Sequence, residues 1–187
     1  MPKNIEFEAK ALLKKSDYEN LINNYLEDTY VQTNYYIDYS DLSLSKRFGI
    51  RIREKNKTFE LTIKIKNKDN NLEINQNISK NQMNNFKENN IFPKGEVFDK
   101  LIDLNVNISL LKIFGSITTS RKDIKFKNCL ISIDKSEYNN VMDYEIECES
   151  SSLENASNTL KDFLNENGIK FEFNTITKLQ RLLNSIR

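Results

Sequence analysis

Glu6, Glu8 and Lys10 occupy alternate positions in Ile5-Glu6-Phe7-Glu8-Ala9-Lys10. In an extended chain, this spacing puts two carboxylates and an ammonium on one face, with Ile5, Phe7 and Ala9 on the other. Carboxylates in a row are hard oxygen ligands for a divalent cation, and an ammonium pairs with a phosphate or holds a water. The alternation returns late in the chain, where Glu145, Glu147 and Glu149 oppose Tyr144, Ile146 and Cys148. It returns with the opposite sign in the middle. Arg51 and Arg53 alternate with Ile50 and Ile52, and Glu60, Thr62, Lys64 and Lys66 alternate with Phe59, Leu61, Ile63 and Ile65.

Composition removes much other chemistry. There is no histidine, so histidine triads, histidine-ligated zinc and a histidine general base are excluded. Cys129 and Cys148 are too few for a zinc cluster and are expected to be small core residues of a reduced chain. The 28 basic and 27 acidic residues leave a net charge of +1, so no nucleic-acid or membrane partner is expected. No apolar run reaches bilayer length and no signal peptide precedes Glu6, which predicts a cytoplasmic protein.

The elements that must position these charges follow from periodicity. Residues 3–12 read as a strand. Ser16 and Glu19 have capping-box spacing before an apolar stripe at Tyr18, Leu21, Ile22, Tyr25 and Leu26, which predicts a helix. Strands follow at 30–38, 48–54, 59–66 and 72–78, with a hairpin turn at Asn56-Lys57. Ser79 caps a helix carrying Met83 and Phe86, and Pro93-Lys94-Gly95 separates it from a second helix carrying Val97, Phe98 and Leu101. Strands resume at 112–122, 130–134 and 143–149. Ser151 and Glu154 suggest a capping box for a helix that stops at Asn167-Gly168, and a short strand is expected at Phe171–Phe173 before a terminal helix from Thr177.

One alternating strand is ordinarily a half-solvated strand. Here the pattern recurs in several strands, its apolar partners are large, and its charges are sorted by strand. This predicts an α+β, mostly β fold: a closed eight-stranded antiparallel barrel with a polar interior and helices packed outside, in a single domain over residues 1–187.

The motifs together resemble a known family. Glu6-Phe7-Glu8-Ala9-Lys10 resembles the ExExK signature of the CYTH superfamily, the triphosphate tunnel metalloenzymes. Tyr35-Tyr36-Ile37-Asp38, Arg51-Ile52-Arg53, Leu61-Thr62-Ile63-Lys64, Thr118-Thr119-Ser120-Arg121, Asp134, Tyr144–Glu149 and Thr177-Lys178-Leu179-Gln180-Arg181 are similar to its later motifs, in order, over nearly the whole chain. The chain is most similar to small bacterial members of the Firmicutes type. It departs from the pattern at Thr177, where serine is commoner, and at Tyr39-Ser40, where Thr-Pro is usual.

The resemblance implies Mg²⁺ or Mn²⁺ held by Glu6, Glu8, Glu145, Glu147 and Glu149. It implies a triphosphate bound by Arg51, Arg53, Lys64, Arg121, Lys178 and Arg181, and catalytic roles for Lys10, Glu6 and Glu8. Asp38, Glu60, Lys66, Glu73 and Asp134 are open between the site and salt-bridge or rim positions. The expected activity is metal-dependent hydrolysis of inorganic triphosphate or a small organic triphosphate. Cyclisation of ATP to cyclic AMP and non-catalytic sensing of polyphosphate or a nucleotide are the alternatives. The expected partner is a triphosphate-bearing small molecule, and a homodimer is left open.

Overall fold

The computed structural model describes residues 4–66 and 71–186; the side chains of residues 4–6, 66 and 71 lie outside that description. The described residues form eight strands and five α-helices: β1 (Asn4–Leu12), α1 (Lys15–Asn24), β2 (Thr29–Asp38), β3 (Phe48–Lys55), β4 (Thr58–Lys66), β5 (Asn71–Ile78), α2 (Lys80–Asn89), α3 (Glu96–Asp103), β6 (Lys112–Phe126), β7 (Cys129–Tyr138), β8 (Val141–Ser150), α4 (Leu153–Glu166) and α5 (Lys178–Ile186). No described helix is long and apolar enough to cross a membrane. One compact unit is built on residues 32–117, the other on 6–31 and 118–186.

In the first unit the strands run β5-β4-β3-β2, with antiparallel pairing. The β3–β4 hairpin turns on Asn56 and Lys57, both with positive φ (50° and 64°), as a tight two-residue turn requires. Ile50, Ile52, Leu61 and Ile63 bury one face of this sheet against Met83, Phe86, Val97 and Leu101 of α2 and α3. Each such side chain contributes about 1.5–3 kcal/mol. Ser79 caps α2 as expected, through a capping box with Gln82. Gly95 opens α3 with φ +137°, where a Cβ would meet the Gln76 amide at 2.5 Å. The absence of a side chain lets Gln76 clamp the helix start, donating to Lys94 O at 2.7 Å and accepting from Val97 N at 3.1 Å.

In the second unit the order is β6-β7-β8-β1, again antiparallel. Ala9, Ala11, Ile131, Ile133, Ile146 and Cys148 pack one sheet face against Tyr18 and Leu21 of α1 and Ala156, Leu160, Phe163 and Leu164 of α4. Cys129 and Cys148 are free and buried in this core.

The local expectations fail where a cap was read from spacing alone. The Ser16–Glu19 box does not form: α1 begins at Lys15 with no side-chain cap. Its C-terminus is fastened by a long-range contact, in which Lys122 Nζ donates to Ile22 O at 2.8 Å and to Tyr25 O at 2.5 Å. Leu26 falls beyond the helix and is 98% exposed. The cap of α4 is Ser152, not Ser151; its hydroxyl accepts from Asn155 N at 3.1 Å. Phe171–Phe173 forms no strand, only one bridge from Phe173 to Ala11.

Candidate active site

The face of the second sheet opposite its helices is polar and buried. Strand pairing aligns its groups. Lys10 of β1 lies opposite Glu147 of β8, Glu8 opposite Glu149, Asp134 of β7 opposite Glu145, and Arg121 of β6 opposite Asp134. Like charges directly opposed destabilise a sheet. The Asp134–Glu145 pair persists because cations are inserted around it.

Lys178, the first residue of α5, supplies one. Its Nζ lies 2.8 Å from Asp134 Oδ2, 2.6 Å from Glu145 Oε1 and 2.7 Å from Glu147 Oε1. Arg121 donates from Nε to Asp134 Oδ1 at 2.7 Å and from Nη2 to Asp134 Oδ2 at 2.6 Å and to Glu147 Oε2 at 2.7 Å. Arg181 donates from Nη1 to Glu145 Oε2 at 2.7 Å and from Nε to Asp143 Oδ2 at 2.8 Å. Asn174 Nδ2 reaches Glu145 Oε2 at 3.0 Å. Thr177 ends the loop and caps α5, its hydroxyl accepting from Gln180 N at 3.1 Å, so threonine keeps the function of the expected serine. Lys10 donates to Glu8 Oε1 at 2.9 Å.

Burial and charge pull the carboxylates apart. Burial alone would raise the Glu147 carboxyl, but Lys178, Arg121 and Lys10 hold it well below the usual range. For Glu145 burial wins: the carboxyl is pushed up, against Lys178 and Arg181 and with help from Glu147. Lys178, Arg121 and Arg181 all resist the lowering that burial imposes and titrate above their ordinary values, because carboxylates surround them.

Asp134, Glu145 and Glu147 each offer an oxygen within 4.8 Å of the others, and all three are buried. The set is all carboxylate and already coordinates a cationic group, so it fits a hard divalent cation. Of the expected ligands, Glu145 and Glu147 are in this cluster. Glu8 and Glu149 lie on the same sheet face through their register. Glu6 lies in β1, but its side chain is outside the described residues. Asp134, read from sequence only as an undecided late acid, is central. The signal that finds it is register: counting outward from the Lys127-Asn128 turn pairs Phe126 with Cys129 and brings Arg121 opposite Asp134.

The first unit carries a basic face. Arg51 and Arg53 of β3, Thr62 and Lys64 of β4, and Glu73 and Asn75 of β5 share the side opposite α2 and α3. Lys64 Nζ lies 3.0 Å and Arg51 Nη2 4.0 Å from Glu73 Oε1. Arg53 Nε donates to Asn34 Oδ1 at 3.0 Å, and Thr62 donates to Asn75 Oδ1 at 2.7 Å. Glu73 is thus an internal counter-charge, and Glu60 lies opposite Arg53 in register. Asp38 is structural. It is fully buried and accepts from Tyr39 N (2.7 Å), Leu44 N (3.0 Å) and Ser45 N (2.9 Å), fastening the loop between β2 and β3. Lys66 ends β4, with its side chain outside the described residues.

Comparison with known proteins agrees with these motifs. YjbK of Bacillus subtilis (strain 168), named as a candidate triphosphatase, is 33% identical over 156 residues, spanning 81% of this chain and 80% of that protein. A crystal structure from Bacillus halodurans, described as a candidate adenylate cyclase, is 38% identical with a TM-score of 0.89, covering 97% of this chain and 98% of the other. A Hippeastrum protein, described as a candidate adenylyl cyclase with a dominant triphosphatase activity, shares the fold at 20% identity and a TM-score of 0.79, over 96% and 95% of the two chains. The model of the CYTH domain matches residues 4–182, and the chain belongs to the CYTH domain family.

Proposed function

We propose that this protein is a metal-dependent triphosphatase that hydrolyses inorganic triphosphate or a small organic triphosphate. The observation that carries the reading is the buried carboxylate cluster Asp134, Glu145 and Glu147, ringed by Lys178, Arg121 and Arg181 on one polar sheet face. Family membership and the named activity of the YjbK relative support it.

In this reading the two polar sheet faces line one closed eight-stranded tunnel within a single domain, as the likeness to the Bacillus halodurans structure supports. Asp134, Glu145 and Glu147 hold Mg²⁺ or Mn²⁺, with Glu6, Glu8 and Glu149 as the remaining acids of the β1 and β8 face. The cation, when bound, neutralises phosphoryl charge and acidifies the attacking water. Arg51, Arg53 and Lys64 bind phosphate oxygens, Arg as a fork and Lys as a point charge. Arg121, Lys178 and Arg181 add positive charge where negative charge develops at the phosphorus. Lys10 holds the water or the terminal phosphate.

A phosphate-release screen over inorganic triphosphate, thiamine triphosphate, ATP and pyrophosphate, with Mg²⁺ or Mn²⁺, tests this. Release that needs the cation and is lost in Glu6→Gln and Arg51→Ala supports hydrolysis; tight binding without release from any substrate rejects it. The Bacillus halodurans relative favours a second reading, cyclisation of ATP, and cyclic AMP as the product would establish it.

A further inference from the structure

All six carboxylate oxygens of Asp134, Glu145 and Glu147 are engaged by cationic or amide donors, and Lys178 is the one described residue that touches all three. Its ammonium sits 2.6–2.8 Å from one oxygen of each. A divalent cation bound by the same three groups needs those oxygens at about 2.0–2.6 Å. The two positive centres therefore exclude each other, by space and by charge.

Of the three surrounding cations, Lys178 is the one built to leave. Arg121 is forked onto Asp134 from β6 and also grips Glu147, and Arg181 is tied to Asp143 and Glu145. Lys178 has a flexible four-carbon stem and makes point contacts. It also sits at the N-terminus of α5, where the helix dipole disfavours a cation and favours an anion. Among the described residues, its ammonium is held there by the three carboxylates. Once they are taken by another cation, the ammonium and the helix terminus together suit a phosphate oxygen.

We propose that Lys178 is an exchangeable internal cation. It holds the Asp134, Glu145 and Glu147 carboxylates while no metal is bound, and moves to the substrate's phosphate when a divalent cation takes its place. Empty, the cluster stays folded and nearly charge-balanced, with four carboxylates (Asp134, Asp143, Glu145, Glu147) against three cations. Loaded, the same lysine becomes a phosphate ligand. The inference rests on the metal-dependent reading above.

Two readouts test it without turnover. In the wild-type chain, Lys178 acylation by an acetyl N-hydroxysuccinimide ester is followed by peptide mass spectrometry with and without Mn²⁺, and at least a fivefold rise with Mn²⁺ is expected. In Lys178→Met, checked for folding by circular dichroism, Mn²⁺ titrated without triphosphate and followed by electron paramagnetic resonance is expected to bind at least tenfold more tightly than in wild type. Unchanged Lys178 acylation under saturating Mn²⁺ overturns the exchange whatever the variant does, and so does an equal affinity in a folded variant. In either case Mn²⁺-dependent phosphate release leaves the triphosphatase reading standing. Failure of both proteins to bind Mn²⁺ overturns the exchange and the metal-dependent reading together.

Discussion

Arg121 and Asp134 face each other across the β6–β7 pair and are joined by two hydrogen bonds, Nε to Oδ1 at 2.7 Å and Nη2 to Oδ2 at 2.6 Å. Asp134 is fully buried and also receives Lys178. Removing the carboxylate would take two hydrogen bonds from the buried Arg121 and one of three carboxylates from Lys178. Asp134→Ala is expected to lower unfolding stability by about 3–5 kcal/mol, the cost of breaking a buried pair, and Asp134→Asn by less. Urea unfolding measures both; a loss under about 1 kcal/mol would show that the network is solvent-screened.

Asn34 holds Arg53 by its Nε. Asn34→Ala removes one hydrogen bond worth about 1 kcal/mol without removing the guanidinium. If Arg53 binds phosphate, the variant is expected to raise the triphosphate KM several-fold with little change in kcat. Steady-state kinetics decide; an unchanged KM would take Arg53 out of the substrate contact.

The β3–β4 turn places Lys57 at φ 64°, a conformation that costs an L-residue energy and glycine none. Lys57→Gly converts Asn-Lys into the preferred Asn-Gly turn and is expected to stabilise the protein by about 0.5–1 kcal/mol. A shift of the urea midpoint upward with an unchanged slope is the expected result.

Tyr138 donates to Asp143 Oδ2 at 2.7 Å. Burial, this hydrogen bond and the Asp143 charge push the phenol up to about 12. The folded state therefore keeps the proton longer than the unfolded chain, which releases it near 10. The stabilisation is complete below about pH 10 and is lost as pH rises through about 12. Tyr138→Phe is expected to flatten that alkaline fall, read from unfolding curves at stepped pH; an unchanged slope would reject the assignment.

Alternation was the most legible feature of the sequence. Period-two segments located β1, β3, β4 and β8 and assigned their faces, because one face of each sheet must bury apolar side chains under helices. Ile50, Ile52, Leu61, Ile63 and Ile146 lie in the predicted apolar cores. Caps were less legible. Ser79–Gln82 is self-contained and forms, whereas the end of α1 is made by Lys122, about a hundred residues away.

From its sequence alone, the chain determined which residue types could serve a metal and a polyanion, and on which strand faces they fall, because side-chain direction in a strand follows from position. Only the tertiary structure decided how those charges pair. Asp134 joins Glu145 and Glu147 because two turns set the registers of β6, β7 and β8, and Lys178 reaches them because the loop after α4 brings α5 to that face through Asn174 and Phe173. A local turn fixes the register of a single hairpin, but the docking of distant elements is settled by the packing of whole elements, and no local spacing encodes it.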